Sequence, residues 1–386
     1  MNETTYLDHN ATTPVRPTAA AAVVAALDVT GNPSSVHGAG RAARRMVEDA
    51  RDCIAGLFGA GAASIVFTSG GTEANTLALT GSRRRVLVSD VEHASVLGVR
   101  TDVQRIRVDS DGVVDVDALD ALLAVSDEPA LVSVMLANNE TGVIQPVAEV
   151  AEIAHRYGAN VHCDAVQAAG KIAVDVAALG VDAVSLSAHK LGGPTGVGAL
   201  IVADDSLIAP MLRGGGQERG RRAGTENLPG IAGFAVAAKE AVDELGPFAE
   251  LAALRDDMEA ALRQRVPETR FYGIETERLA NTSCFASPSI GAETQVMALD
   301  LAGIAVSAGA ACSSGKVAPS HVLRAMGADE DTANKAIRVS LGRSSSVSDV
   351  ERFVATWSAL HGEPVSETPR GIGCVIRTKT KGKVTQ

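Results

Sequence analysis

From about residue 15 to 245 the chain alternates short apolar runs with longer amphipathic stretches. The apolar runs fall at 64–68, 85–89, 131–136, 161–165, 181–187 and 199–202, and each reads as a strand. Between them, 41–57, 147–157 and 231–244 place apolar residues at helical spacing. Unbroken apolar strands separated by helices predict an α/β unit built on a mostly parallel sheet covered on both faces. Near Gly246-Pro247 the pattern changes, and a helix over 249–265 opens a section with fewer and shorter strands. The expected organisation is a large α/β domain over 15–248 and a smaller α+β domain over 249–362, joined by residues 1–14. Residues 363–386, punctuated by Pro364, Pro369, Gly371 and Gly373 and then by Arg377, Lys379, Lys381 and Lys383, are expected to form a flexible basic tail.

At 386 residues the chain exceeds one ordinary core, which agrees with that division. Of its residues 46% are hydrophobic and only 3% aromatic, so alanine, valine and leucine must fill the interior. A net charge of −11 argues against direct nucleic-acid binding and against anionic membranes. Five cysteines without a CxxC pair describe neither a disulfide framework nor a zinc site, but reduced thiols. No run has the length of a membrane span, and the polar start Met1-Asn2-Glu3-Thr4-Thr5 lacks the blocks of a signal peptide. The expected location is the cytoplasm.

Chemistry concentrates at the ends of the strands. Lys190 follows the run 181–187 and precedes the glycine-rich turn Gly192-Gly193. A lysine held in a pocket there can expose a neutral amine, which a Schiff base requires. Asp164 ends the run 161–165, and the spacing to Lys190 fits one crossover between parallel strands. An imine-forming lysine facing a carboxylate that can hold a pyridinium nitrogen is the protein half of a pyridoxal phosphate (PLP) site. Ser69-Gly70-Gly71-Thr72 follows one strand and opens a helix, which suits either a phosphate cradle or an ordinary cap. His93 follows another strand, as a ring-stacking base or a capping histidine. Asn138-Asn139-Glu140 is a polar turn that could contact a ring substituent. Arg338 lies on a strand, where it would grip a substrate carboxylate or form a structural salt bridge. Cys312 sits among small residues, Ser307 to Gly315, with no large apolar anchor, and reads as an exposed nucleophile. Cys53, Cys163, Cys284 and Cys374 read as inert, three of them within elements and the last in the tail.

Together these segments resemble the cysteine desulfurases, PLP enzymes of the class V aminotransferase fold (aspartate-aminotransferase-like, fold type I). The resemblance runs from Tyr6-Leu7-Asp8-His9-Asn10-Ala11-Thr12-Thr13-Pro14 to Arg343. It includes Gly31-Asn32-Pro33-Ser34-Ser35, Gly71-Thr72-Glu73, Asp164-Ala165-Val166-Gln167, Ser187-Ala188-His189-Lys190 and Arg222-Ala223-Gly224-Thr225. It implies that Lys190 holds the cofactor, Asp164 pairs with the ring nitrogen, His93 stacks on the ring and Gln167 meets the ring oxygen. It further implies that Gly71, Thr72, Ser187 and His189 cradle the phosphate, with Thr225 reaching across from the second subunit of a homodimer. Asn139 and Arg338 would bind the carboxylate of L-cysteine, and Cys312 would accept its sulfur. The spacing from Cys312 to Pro319-Ser320-His321 is similar to the long-loop branch, which passes sulfur to an acceptor or scaffold protein for iron–sulfur or other thio-cofactor synthesis. Other outcomes compatible with the same segments are sulfur delivery to DNA phosphorothioation or tRNA thiolation, a selenocysteine lyase or other class V PLP enzyme, and a docking subunit without catalysis.

Overall fold

The computed structural model of the chain describes residues 4–81, 84–309 and 319–362. It opens with strand β1 (Thr5–Tyr6). A seven-stranded sheet follows, made of β2 (Ile65–Thr68), β3 (Arg85–Ser89), β4 (Gln104–Ile106), β5 (Ala130–Ser133), β6 (Asn160–Asp164), β7 (Ala183–Ser187) and β8 (Gly198–Val202). Their spatial order is β2-β8-β7-β6-β5-β3-β4. The run from β7 to β4 is parallel, as the alternation of strands and helices predicts. β8 runs antiparallel to both of its neighbours. A fully buried apolar strand looks the same in either direction, so only the short turn from β7 to β8, with no helical crossover, dictates the reversal.

Four strands in the second half, β9 (Arg270–Tyr272), β10 (Thr282–Ala286), β12 (Ser307–Ala308) and β13 (Ala336–Ser340), make an antiparallel sheet ordered β12-β13-β10-β9. β11 (Ile304–Ala305) pairs instead with β1, in parallel. Phe285, Phe353 and Trp357 centre a core under this sheet, with Phe285 and Trp357 ring centroids 5.3 Å apart in an edge-on pair. Leu7 is buried in the same core. The large sheet instead buries a continuous layer of valine, alanine, leucine and isoleucine, including Val132, Val161, Val184 and Leu186.

Helix α1 (Pro17–Leu27) packs on the helix Leu228–Asp243. Helix α2 (Gly38–Leu57) buries Ala43, Val47, Ala50 and Ile54, one stripe at helical spacing, and His37 caps its start by accepting from the Gly40 N–H. α3 (Gly71–Thr80) and α4 (Ala94–Leu97) follow β2 and β3 directly. Their N-termini therefore face the carboxyl edge of the parallel strands, where open α/β sheets bind ligands.

The N-terminal segment ties the two sheets together. Leu7 accepts from the Ser340 N–H, and the His9 N–H donates back to the Ser340 carbonyl. A few residues on, the Thr13 N–H donates to the His189 carbonyl at the edge of the large sheet. Among the described residues, no helix is long and apolar enough to cross a membrane.

Candidate active site

β6 and β7 are parallel neighbours, with Asp164 opposite Ser185. Asp164 is the last residue of β6, and β7 runs into a single 3₁₀ turn, Ala188–Lys190. Lys190 thus sits on a turn beyond the strand end rather than on the strand itself. Asp164, Lys190, Gly71, Thr72, His93, Asn139, Gln167, Ser187, His189 and Arg338 line one cavity of about 310 Å³. Positions that span most of the sequence are brought to one cavity, lined by the carboxyl edge of the large sheet and by β13 of the smaller one. Thr225 is exposed and does not line this cavity in its own chain. Cys312 lies outside the described residues.

Asp164 is buried, and both of its oxygens are engaged. Oδ1 accepts from the Val166 N–H at 2.9 Å and Oδ2 from Asn75 Nδ2 at 2.7 Å. Asn75 projects from α3 one turn after Gly71 and also donates to Ser95 Oγ. With its oxygen taken as acceptor, Ser95 has its hydrogen left for His93 Nδ1, 2.8 Å away, and the Ser95 N–H points at the same nitrogen. The network therefore places the His93 proton on Nε2. Burial lowers the His93 pKa, with Lys190 and His321 adding to the effect and Asp164 opposing it. His93 is both the cap of α4 and a wall of the cavity.

One end of the cavity is an anion cradle. Gly70, the residue before α3, has φ 153° and offers no side-chain cap, so the first N–H groups of the ten-residue helix stay available. The approach is close: a Cβ on Gly71 would lie 2.7 Å from Val166 Cγ2, and one on Gly198 would lie 2.7 Å from the Gly70 Cα. Ser187 stands beside this turn, and His189 lines the same cavity. Burial, followed by the charge of Lys190, pushes His189 down to about 4, so it is a neutral imidazole at physiological pH. Glu73 turns away from the cradle. It accepts from the Ser69 N–H and pairs with Arg222 at 2.8 Å, joining the cradle to the segment that carries Thr225.

The other end is set by Arg338. On β13 its Nη1 donates to the Asn139 carbonyl at 2.8 Å and its Nη2 to Asp8 at 2.7 Å, while Nε is buried without a partner among the described residues. The structural salt bridge to Asp8 thus exists, on a side chain that also lines the cavity. Asn138 shapes the neighbouring turn by accepting from the Glu140 and Thr141 N–H groups. Glu140 is buried beneath it and accepts from Ser320 Oγ, and a Cβ on Gly309 would come within 2.8 Å of its Oε2. The chain on either side of residues 310–318 therefore converges on this carboxyl. Buried Cys163 and Cys284 and half-buried Cys53 all have thiols pushed up by desolvation, which disfavours the thiolate.

Lys190 Nζ donates to the carbonyls of Asn10 and Ala11. Sequence reasoning assigned Asn10 no role, yet it is the junction of the site. Its carbonyl also accepts from Gln167 Nε2, and its Oδ1 accepts from Lys171 and Asn281. Asn75, Ser95 and Lys171 were likewise missed. For Asn75 and Ser95 the available signal was spacing: one helical turn past Gly71, and two residues past a capping histidine.

An uncapped helix start for an anion, a buried carboxylate and an amine on the same cavity suit a phosphorylated pyridine aldehyde, and the cavity has room for one. Comparison with known proteins agrees. The aminotransferase class-V family matches residues 5–353. A cysteine desulfurase of Cereibacter sphaeroides is 47% identical over 368 residues, covering 91% of this chain and 94% of that protein. An IscS-like cysteine desulfurase of Mycobacterium tuberculosis is 40% identical over 366 residues, covering 90% and 93%. The solved structure of a NifS-like protein from Rickettsia africae has a TM-score of 0.87 at 35% identity, covering 93% of this chain and 100% of that one. Fold and site together define a class-V aminotransferase. Within that family the chain belongs to the PLP-dependent cysteine desulfurases, and the selenocysteine-lyase and non-enzymatic readings are not favoured.

Glu92, next to His93, is fully buried. Its Oε1 accepts from Ser89 Oγ and the Met135 N–H, and Oε2 has no partner among the described residues. Burial, with the nearby charge of Asp164 adding to it, outweighs those hydrogen bonds and raises the carboxyl to about 8. An acid whose folded pKa lies above its unfolded value stabilises the fold fully at low pH. That contribution is lost as pH rises from about 4.5 to about 8. Glu92→Gln keeps the acceptor and removes the titration. In urea unfolding its stability relative to the natural protein should improve steadily across that window; a difference that stays flat with pH would contradict a neutral Glu92.

Proposed function

We propose that this enzyme converts L-cysteine to L-alanine and holds the sulfur as a persulfide on Cys312 for transfer to an acceptor protein. The observation that carries the reading is the convergence of Lys190, Asp164 and the uncapped start of α3 on one cavity, with Arg338 at its opposite end. PLP would be held by Gly71, Thr72, Ser187 and His189 at its phosphate and by Asp164 at its ring nitrogen. His93 would lie against the ring, Gln167 at the ring oxygen, and Lys190 at the aldehyde carbon. Bound there, PLP supplies an electron sink that stabilises negative charge at the substrate Cα.

The chain's own groups do the rest. Arg338 and Asn139, which both line the cavity, hold the substrate carboxylate. Lys190 Nζ takes the Cα proton, and Lys190 with His93 returns protons as alanine forms. The Cys312 thiolate forms an S–S bond to the substrate sulfur while the C–S bond breaks, so that one cysteine and one protein thiol yield one alanine and one persulfide. Gly309 lines the cavity and, like Ser320, lies against Glu140, which favours delivery of the intervening segment to the substrate.

We assign cofactor binding to a domain of residues 15–248 and the cysteine segment to a smaller domain of 249–362 with 1–14. The enzyme acts as a cytoplasmic homodimer, and its acceptor serves iron–sulfur or related thio-cofactor assembly. The exposure of Thr225, three residues beyond the Arg222–Glu73 link to the cradle, suits a residue offered to the partner's phosphate.

Two outcomes test these assignments. Cys312→Ser should bind PLP and L-cysteine normally but lose nearly all sulfide release. In the natural protein, mass spectrometry after brief exposure to L-cysteine should find the added sulfur on the Cys312 peptide; sulfur on another cysteine, with Cys312→Ser active, refutes the role. Thr225→Ala should remain dimeric and bind PLP about tenfold more weakly, as expected for one lost hydrogen bond to a charged group. Mixed dimers of Thr225→Ala and Lys190→Ala subunits should recover one tight site per dimer. Failure to recover it places Thr225 outside the partner's site.

A further inference from the structure

Lys171 is a second buried lysine in this region, and the reading above gives it no task. It leaves the turn that follows β6, four residues after Gln167, and is 6% exposed. Its Nζ donates to Gln167 Oε1 and Asn10 Oδ1, both at 2.7 Å. Among the described residues, no carboxylate lies within ion-pair distance of it. The charged and titratable groups that face it are Lys190, Arg338 and His9. Burial, then the charges of Lys190 and Arg338, holds its ammonium well below the usual lysine range. An apolar side chain of similar length would fill this space without that cost, so the donor hydrogens carry the purpose.

The two ends of a glutamine amide are alike in shape and differ only in hydrogen bonding. Lys171 Nζ lies between two side-chain oxygens, Gln167 Oε1 and Asn10 Oδ1, and donates to both, which fixes which end is which. Gln167 Nε2 is then turned to the other side, where it donates to the Asn10 carbonyl at 2.9 Å and keeps a second hydrogen. Gln167 lines the cavity. The same Nζ holds the Asn10 side-chain oxygen, and the backbone carbonyl of that residue receives Lys190.

We propose that Lys171 is a positioning residue: it locks the Gln167 amide so that Gln167 offers the cofactor's ring oxygen a donor and never an acceptor. This rests on the reading that PLP occupies the cavity with its ring oxygen at Gln167. A donor there stabilises negative charge on the ring oxygen and so weakens proton binding at the adjoining imine nitrogen. Losing the lock should raise the pH at which the bound cofactor's visible band changes.

The test is a spectrophotometric pH titration of the holoprotein. Lys171→Met should move the midpoint upward by about half to one pH unit relative to the natural enzyme. Gln167→Met should move it in the same direction, and adding Lys171→Met to Gln167→Met should produce no further shift. A Lys171→Met midpoint equal to that of the natural enzyme overturns the proposal. So does an equal shift in both backgrounds, which would show a through-space charge effect that bypasses Gln167. Should Lys171→Met yield no soluble holoprotein, Lys171→Arg retains donors: a midpoint near the natural value supports the lock, and one matching Gln167→Met overturns it. A natural protein with no visible band strikes the PLP reading itself and this proposal with it, a result distinct from a band that Lys171→Met leaves unmoved.

Discussion

The active site hangs on the hydrogen-bonding capacity of one buried asparagine. Asn10 is 1% exposed, and each of its polar groups is used. Its side-chain oxygen accepts from Lys171 and Asn281, and its side-chain nitrogen donates to Thr282 Oγ1 and to the Asn139 carbonyl. Its backbone N–H donates to Ser340 Oγ, and its carbonyl accepts from Lys190 and Gln167. Thr282 and Ser340 lie on the four-stranded sheet, while Gln167 and Lys190 lie at the edge of the seven-stranded one. An amide offers two acceptor and two donor directions, and all four are filled. Each group left orphaned by a shift between the sheets would cost about 1–3 kcal/mol, so one residue holds the amine and the Asn139 turn in register.

Around that junction, charge is managed by burial as much as by pairing. Lys190, Lys171 and Arg338 place three basic groups near one another, with Arg338 paired to Asp8, and the imidazoles nearby are kept neutral. His9 and His189 are both held near 4, mainly by desolvation. His162, deeper in the sheet, is held near 4 for the same reason and bridges Ser133 and Ser185. Neutral rings can donate without adding positive charge, which leaves the anion cradle and Arg338 to attract the charged parts of a ligand.

Much of this was legible in the chain. Lys190 and Asp164 stood out because each ends an apolar run, and consecutive parallel strands put such ends at one edge. The same logic delivered His93 and the Gly71-Thr72 turn, and β3 is observed over the residues that its apolar run marks. Arg338 stood out as a charge among apolar neighbours on a strand. The direction of β8 was not legible, because burial on both faces erases any pattern that direction could write. Asn10 and Lys171 were not legible for a different reason. They meet across 161 positions of sequence, and a lysine that follows a glycine turn looks like a solvated one until the fold buries it. Cys312 rests on sequence and kinship alone, since residues 310–318 are not described.

The central claim is that Lys190, held on the Asn10 junction opposite Asp164, is the residue that carries the cofactor. Borohydride reduction of the purified PLP-loaded protein, followed by digestion and mass spectrometry, tests it most directly. The account predicts a single pyridoxyl adduct on the peptide containing Lys190, and none on Lys171 despite its buried, weakly basic amine. A reduced adduct on Lys171 or on any other lysine, with Lys190 unmodified, would contradict it.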